Sequence, residues 1–104
     1  MSALDLTVPR RIHVVGVGGA GMSAIATVLA TMGHRVSGSD LKATPGLERL
    51  RAAGVVVAIG HRAGNVGDVD AVTISPAVPA TNPEVVAATE QGIPVLRRAE
   101  ALAA

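Results

Sequence analysis

Residues 11–22 read RIHVVGVGGAGM, a short apolar run that breaks into glycines and passes at once into a helical pattern. Ile12, Val14, Val15 and Val17 fit a buried parallel strand, because β-branched side chains suit a pleat covered on both faces. From 20 to 32, Met22, Ile25, Ala26, Leu29 and Met32 recur at the spacing of one helical face, and Gly33 supplies the stop. Between strand and helix, Gly16, Gly18 and Gly21 form G-x-G-x-x-G. The first glycine permits a tight turn, the second lets a phosphate approach the backbone, and the third lets helix and strand pack closely. No side chain in the turn carries charge, so an anion there would be held by free N–H groups and the helix dipole.

An acidic residue, Asp40, closes the next short segment, 35–39, as it does in dinucleotide-binding domains. The same glycines could serve packing alone, with Asp40 a turn residue or helix cap. Length weighs against a dinucleotide: 104 residues make one domain, short of two βαβαβ halves. The chain has no Phe, Tyr or Trp, so its core must be built from Val, Ile, Leu, Met and Ala. Hydrophobic residues at 49% against 16% charged favour a compact α/β core over disorder. A net charge of +1 gives no electrostatic case for nucleic acid or an acidic membrane surface. Without cysteine there is no disulfide framework and no thiolate nucleophile. The first residues lack a signal-peptide core, and no apolar run approaches the roughly 18 residues of a membrane span. A cytoplasmic protein with no membrane insertion is the expectation.

The pattern divides the chain into a lead-in, 1–10, and one domain, 11–104. The first helix carries no charge between Gly19 and Gly33, and its polar residues Ser23, Thr27 and Thr31 lie on one stripe, which implies a close neighbour. Residues 35–40 form a short, half-polar second strand near a sheet margin. Thr44 and Pro45 start a short helix buried through Leu47, Leu50 and Ala53, with Glu48, Arg49 and Arg51 on its solvated face. Residues 55–59 are a third, fully apolar strand ending in Gly60 and His61. Residues 62–68 connect, with one helical turn, to a fourth strand over 69–75. Two prolines stiffen the loop 75–82, and Asn82, Pro83 and Glu84 start a helix by cap, proline and first-turn acid. A fifth strand over 93–96 precedes a helix from 97 that reaches residue 104 with no stop signal, as in a domain excised from a longer chain.

Five strands alternating with helices predict right-handed crossovers and a Rossmann-like, doubly wound parallel sheet of order 3-2-1-4-5. Its switch point lies between the first and fourth strands, and ligands of such sheets sit outside the carboxyl ends there. Loops 16–21, 40–44, 60–61 and 75–82 would border that site. No G-x-x-x-x-G-K-[ST] occurs, the only lysine is Lys42, and no Ser-His-Asp grouping, carboxylate pair or metal-spaced cluster is legible. No catalytic or metal residue is therefore assigned. His13, inside a strand, and His34, in a turn, read as structural, whereas His61 stands at the ligand edge.

GVGGAGMSAIA at 16–26, VSGSD at 36–40, GH at 60–61, SPAVPATNPEVVAA at 75–88 and IPVLRRAEAL at 93–102 together resemble the first domain of the Mur ligases of peptidoglycan synthesis. The resemblance is to the group that adds L-alanine to UDP-N-acetylmuramate. It implies a UDP-N-acetylmuramate-binding domain partnered, in the full-length ligase, by a central domain for ATP and Mg2+ and a C-terminal domain. No cofactor is expected in this domain, and alone it would be inactive. The resemblance puts the substrate diphosphate on the amides of Gly18, Gly19, Ala20, Gly21 and Met22, and the uridine by Ser39 and Asp40. His61 would lie near the nucleotide, with Ser75, Pro76, Ala77 and Val78 along the opposite wall. Where the family more commonly has a second serine, Pro76 removes an N–H and a hydroxyl. Two other readings stay open: a small NAD(H)-binding redox or sensor domain, and a protein-interaction domain using the smooth first helix.

Overall fold

The computed structural model describes residues 7–97. The first six residues of the lead-in, and residues 98–104 of the last helix read from sequence, lie outside that range. The elements are β1 (Arg11–Val15), α1 (Ala20–Thr31), β2 (Arg35–Asp40), α2 (Pro45–Ala52), β3 (Val56–Ile59), a 3-10 turn (Ala63–Asn65), β4 (Ala71–Ile74), α3 (Pro83–Glu90) and β5 (Val95–Arg97). All strand pairs are parallel and the order is β3-β2-β1-β4-β5, the doubly wound sheet expected.

Alternation along the strands assigns the two faces. Ile12, Val14 and Val36 join Met22, Ile25, Leu29, Leu47 and Leu50 in the core under α1 and α2. Val15 and Val72 join Val66, Ala87 and Ala88 under α3 on the other side. Two aliphatic cores thus replace the missing aromatics, at roughly 1.5–3 kcal/mol for each large aliphatic side chain fully buried.

Several boundaries differ from the sequence expectation for physical reasons. β1 ends at Val15 because Gly16, at φ +78°, turns the chain, and Val17 is buried in the turn instead of the strand. Asp70 leaves β4 because its carboxylate accepts the Arg11 amide at 2.8 Å. β5 continues through Arg97, where a helix was expected to start. As the expected strand order requires, the apolar β3 is an edge strand, and Val56 is 71% exposed there. Ala53 and Val86 face solvent, while Leu47, Leu50, Val85 and Ala88 are buried as expected. Thr44 does stand at the N-cap of α2, but its side chain makes no capping bond.

β2 stands one strand in from the β3 edge, near the sheet margin as expected, and its polar residues also serve its surroundings. It is an interior strand, and Ser37 and Ser39 lie opposite His13 and Val15 of β1 on the α3 face. Gly38 faces the other way, where a Cβ would come within 2.6 Å of the Val17 Cβ. Only glycine lets β2 pass that close to the turn.

Candidate functional site at the carboxyl edge

The glycine turn is held from below and leaves its upper amides open. Gly16 and Val17 donate to the Ser39 carbonyl at 2.9 and 3.0 Å, and Gly19 donates to the Gly16 carbonyl at 3.1 Å. Gly18 donates to Asp40 Oδ2 at 2.8 Å, while Asp40 Oδ1 accepts from Leu41 at 2.7 Å. A Cβ on Gly18 would lie 2.6 Å from that Oδ2, so the second glycine makes room for the chain's own carboxylate. The first turn of α1 behaves differently. Its cap residue is Gly19, without a side chain, and no acidic residue stands in the first turn. The amides of Ala20, Gly21 and Met22 therefore have neither an intrahelical acceptor nor a side-chain cap. The Met22 side chain is core, so only its backbone could meet a ligand.

Opposite this turn stands the proline loop. Val78 donates to the Ser75 carbonyl at 3.1 Å, a turn in which Pro76 occupies the position that favours proline and needs no N–H. The Val78 side chain lies over Gly16, at 3.9 Å from where a Cβ would be. Pro76 and Ala77 are exposed, and Ile74, Ser75, Pro76, Val78 and Arg97 line a cavity of about 220 Å³. A second groove, about 450 Å³, runs from Gly18 between α1 and α2 past Ser23, Thr27, Val28 and Arg49. The α1 hydroxyls do not reach into it for partners: Ser23, Thr27 and Thr31 donate to carbonyls of their own helix at 2.9–3.0 Å. The neighbour implied for α1 is α2 on one side, while Val28 and Met32 remain exposed.

Ser39 and His61 are brought together, but below the edge. Ser39 is fully buried and donates to Glu84 Oε1 at 2.6 Å. The same oxygen accepts from His13 Nε2 at 2.5 Å. Glu84 Oε2 accepts from the Arg62 amide at 3.0 Å and Asn65 Nδ2 at 2.9 Å, with His61 Nδ1 at 3.3 Å. His61 Nδ1 also lies 2.9 Å from Ser39 Oγ, and His13 Nδ1 lies 2.8 Å from Ser37 Oγ. Burial would by itself push the Glu84 carboxyl up. The hydrogen bonds from His13, Ser39 and Asn65, with the charge of His13, outweigh it and lower its pKa to about 2.

Sequence reasoning saw Glu84 only as a first-turn acid and missed this hub. The available signal was polar residues on buried strands, since His13, Ser37 and Ser39 must find partners once covered. His13 and His34 are structural as expected: His34 Nδ1 accepts the Arg10 amide at 3.0 Å. Among the described residues no three His, Asp or Glu side chains are placed to hold a metal ion, and no helix is long and apolar enough to cross a membrane.

A parallel sheet in this order, with a glycine turn and a facing loop at its switch point, defines the doubly wound α/β class that takes ligands at the carboxyl edge. Comparison with known proteins narrows the class. Residues 11–104 match the Mur ligase family, catalytic domain. A UDP-N-acetylmuramate--L-alanine ligase of Rubrobacter xylanophilus is 60% identical over 93 residues, covering 89% of this chain and 21% of that protein. The protein of the same name from Saccharopolyspora erythraea is 53% identical over 108 residues, covering 99% and 22%. The crystal structure of UDP-N-acetylmuramate-alanine ligase from Thermotoga maritima superposes with a TM-score of 0.84 at 38% identity, covering 89% of this chain and 22% of that one. The chain belongs to the Mur ligase family, and it spans about a fifth of the length of the curated relatives it matches.

Proposed function

We propose that this chain is the UDP-N-acetylmuramate-binding domain of an ATP-dependent ligase that adds L-alanine to that substrate in peptidoglycan synthesis. The 60% identity to a relative bearing that name supports the reaction. The observation that carries the binding role is the meeting, at one sheet edge, of the open amides 20–22, the Asp40 carboxylate and the 75–78 turn.

In this reading the diphosphate accepts hydrogen bonds from the amides of Ala20, Gly21 and Met22 and lies on the positive end of α1. The amides of Gly18 and Gly19 already have acceptors, so those two glycines act by leaving space. Asp40 stands beside the turn for donors of the nucleoside, His61 lies next to it, and Ser75, Pro76, Ala77 and Val78 form the far wall. The Ser39 hydroxyl faces inward to Glu84, so Ser39 serves the site through its neighbours.

ATP and Mg2+ would supply activation of the substrate carboxylate. The described residues do not fit them: the glycine turn has no lysine, and no carboxylate cluster is placed for a metal. Those groups, and the groups that hold the incoming amine, are assigned to the further domains of a full-length ligase, the domain partners of this chain. The relatives matched at 53–60% identity are named as ligases, which does not favour the NAD reading.

Calorimetric titration of the 104-residue chain tests the proposal. UDP-N-acetylmuramate and UDP should bind and NAD should not; saturable NAD binding without a response to either uridine nucleotide would overturn it.

A further inference from the structure

The hub around Glu84 contains a donor order that reaches the ligand edge. Glu84 is ionised, so both of its oxygens can only accept. Ser39 points its single O–H at Glu84 Oε1, which leaves Ser39 Oγ an acceptor toward His61 Nδ1. The other group near His61 Nδ1 is Glu84 Oε2, again an acceptor. Nδ1 therefore carries the proton, and in the neutral ring Nε2 is left as an acceptor on the side turned away from the hub. The His61 side chain keeps 15% of its surface exposed, and Gly60 before it donates to the Asp40 carbonyl at 2.7 Å. The part of the His61 ring left to solvent thus follows a strand end that is tied to Asp40 through the backbone.

We propose that Glu84 is a positioning residue: acting through Ser39, it fixes His61 so that Nε2 accepts a hydrogen bond from an N–H or O–H donor of the bound nucleoside. This rests on the nucleotide-binding reading above. A base imide and a ribose hydroxyl both offer such a donor, whereas a phosphate does not, so His61 reads the nucleoside and the open amides read the diphosphate. Glu84 itself is fully buried and touches no ligand.

Three measurements on the 104-residue chain test it. The first is the ring-nitrogen NMR of the unliganded protein, which should show His61 protonated at Nδ1 and should lose that preference in Glu84→Gln, where an amide replaces one acceptor. The second is UDP affinity in His61→Asn, whose side-chain amide keeps the inner donor of Nδ1 but has nothing in place of Nε2. Loss of one neutral hydrogen bond should weaken binding about three- to tenfold, and Glu84→Gln should weaken it in the same direction. The third compares UDP with its N3-methyl and 2′-deoxy analogues. The analogue lacking the donor should bind worse to the parent, yet no worse than UDP to His61→Asn. His61 protonated at Nε2, or His61→Asn binding UDP as tightly as the parent, would overturn the inference while leaving nucleotide binding intact. A parent chain that binds no uridine nucleotide would overturn both.

Discussion

Helices α1 and α3 both start at the carboxyl edge of the sheet, and their first turns are built in opposite ways. Asn82 caps α3, its Oδ1 accepting the Glu84 amide at 2.9 Å, with proline at the next position and an acid after it. That acid then gathers five donors from β1, β2 and the loop after β3. α1 has a glycine cap, no side-chain acceptor and no acid. A helix start that supplies its own anion is a fastener between elements; one that supplies none is left for an anion from outside. The two devices lie on opposite faces of one sheet and are joined through Ser39, whose hydroxyl bonds Glu84 and whose carbonyl holds the glycine turn.

If the α3 start is the fastener, removing its anion should cost most. Glu84→Ala strands the His13, Ser39 and Asn65 donors in a buried space, and each buried donor left unpaired costs about 1–3 kcal/mol, so the loss should be several kcal/mol. Chemical denaturation would read this as a large drop in midpoint; a loss below about 1 kcal/mol would dissolve the contrast between the two helices.

The same anion sets an acid limit. Its pKa falls from 4.5 to about 2 on folding, so ionised Glu84 contributes on the order of 3 kcal/mol above pH 4.5. Because the folded value is the lower one, that stability disappears as pH falls from about 4.5 toward 2. Stability curves at successive pH values should show this slope in the parent and a much shallower one in Glu84→Gln.

Smaller effects belong to the glycine turn. Gly38→Ala forces a methyl against the buried Val17 and should destabilise by about 1–3 kcal/mol, measured by thermal unfolding. Gly18→Ala displaces only the Asp40 carboxylate and should cost about 1 kcal/mol or less in stability, while uridine-nucleotide binding weakens measurably. The two alanines thus separate a glycine needed for packing from one needed at the edge.

Much of this was legible from residue order. The glycine turn between a β-branched run and a 3.6-period helix specified β1 and α1, and the alternation of elements specified the strand order. Asn82-Pro83-Glu84 marked the start of α3 correctly. The role of Glu84 was hidden because its partners His13 and Ser39 stand 71 and 45 positions away, and a first-turn acid looks the same whether solvated or buried. The expected strand order placed β3 at an edge, although its continuous hydrophobic run reads alike at the centre and margin of a sheet. Likewise G-x-G-x-x-G located the turn but could not show that Gly18 faces the chain's own Asp40.

Because the chain has no Phe, Tyr or Trp to report binding by fluorescence, amide chemical-shift titration with UDP-N-acetylmuramate is the decisive measurement of binding at the carboxyl edge. Saturable shifts are expected at Ala20, Gly21 and Met22, at Asp40 and His61, and at Ser75, Ala77 and Val78, with NAD producing none. Shifts confined to residues outside the carboxyl edge, or saturation of the 20–22 amides by NAD with no response to the UDP-sugar, would contradict that expectation.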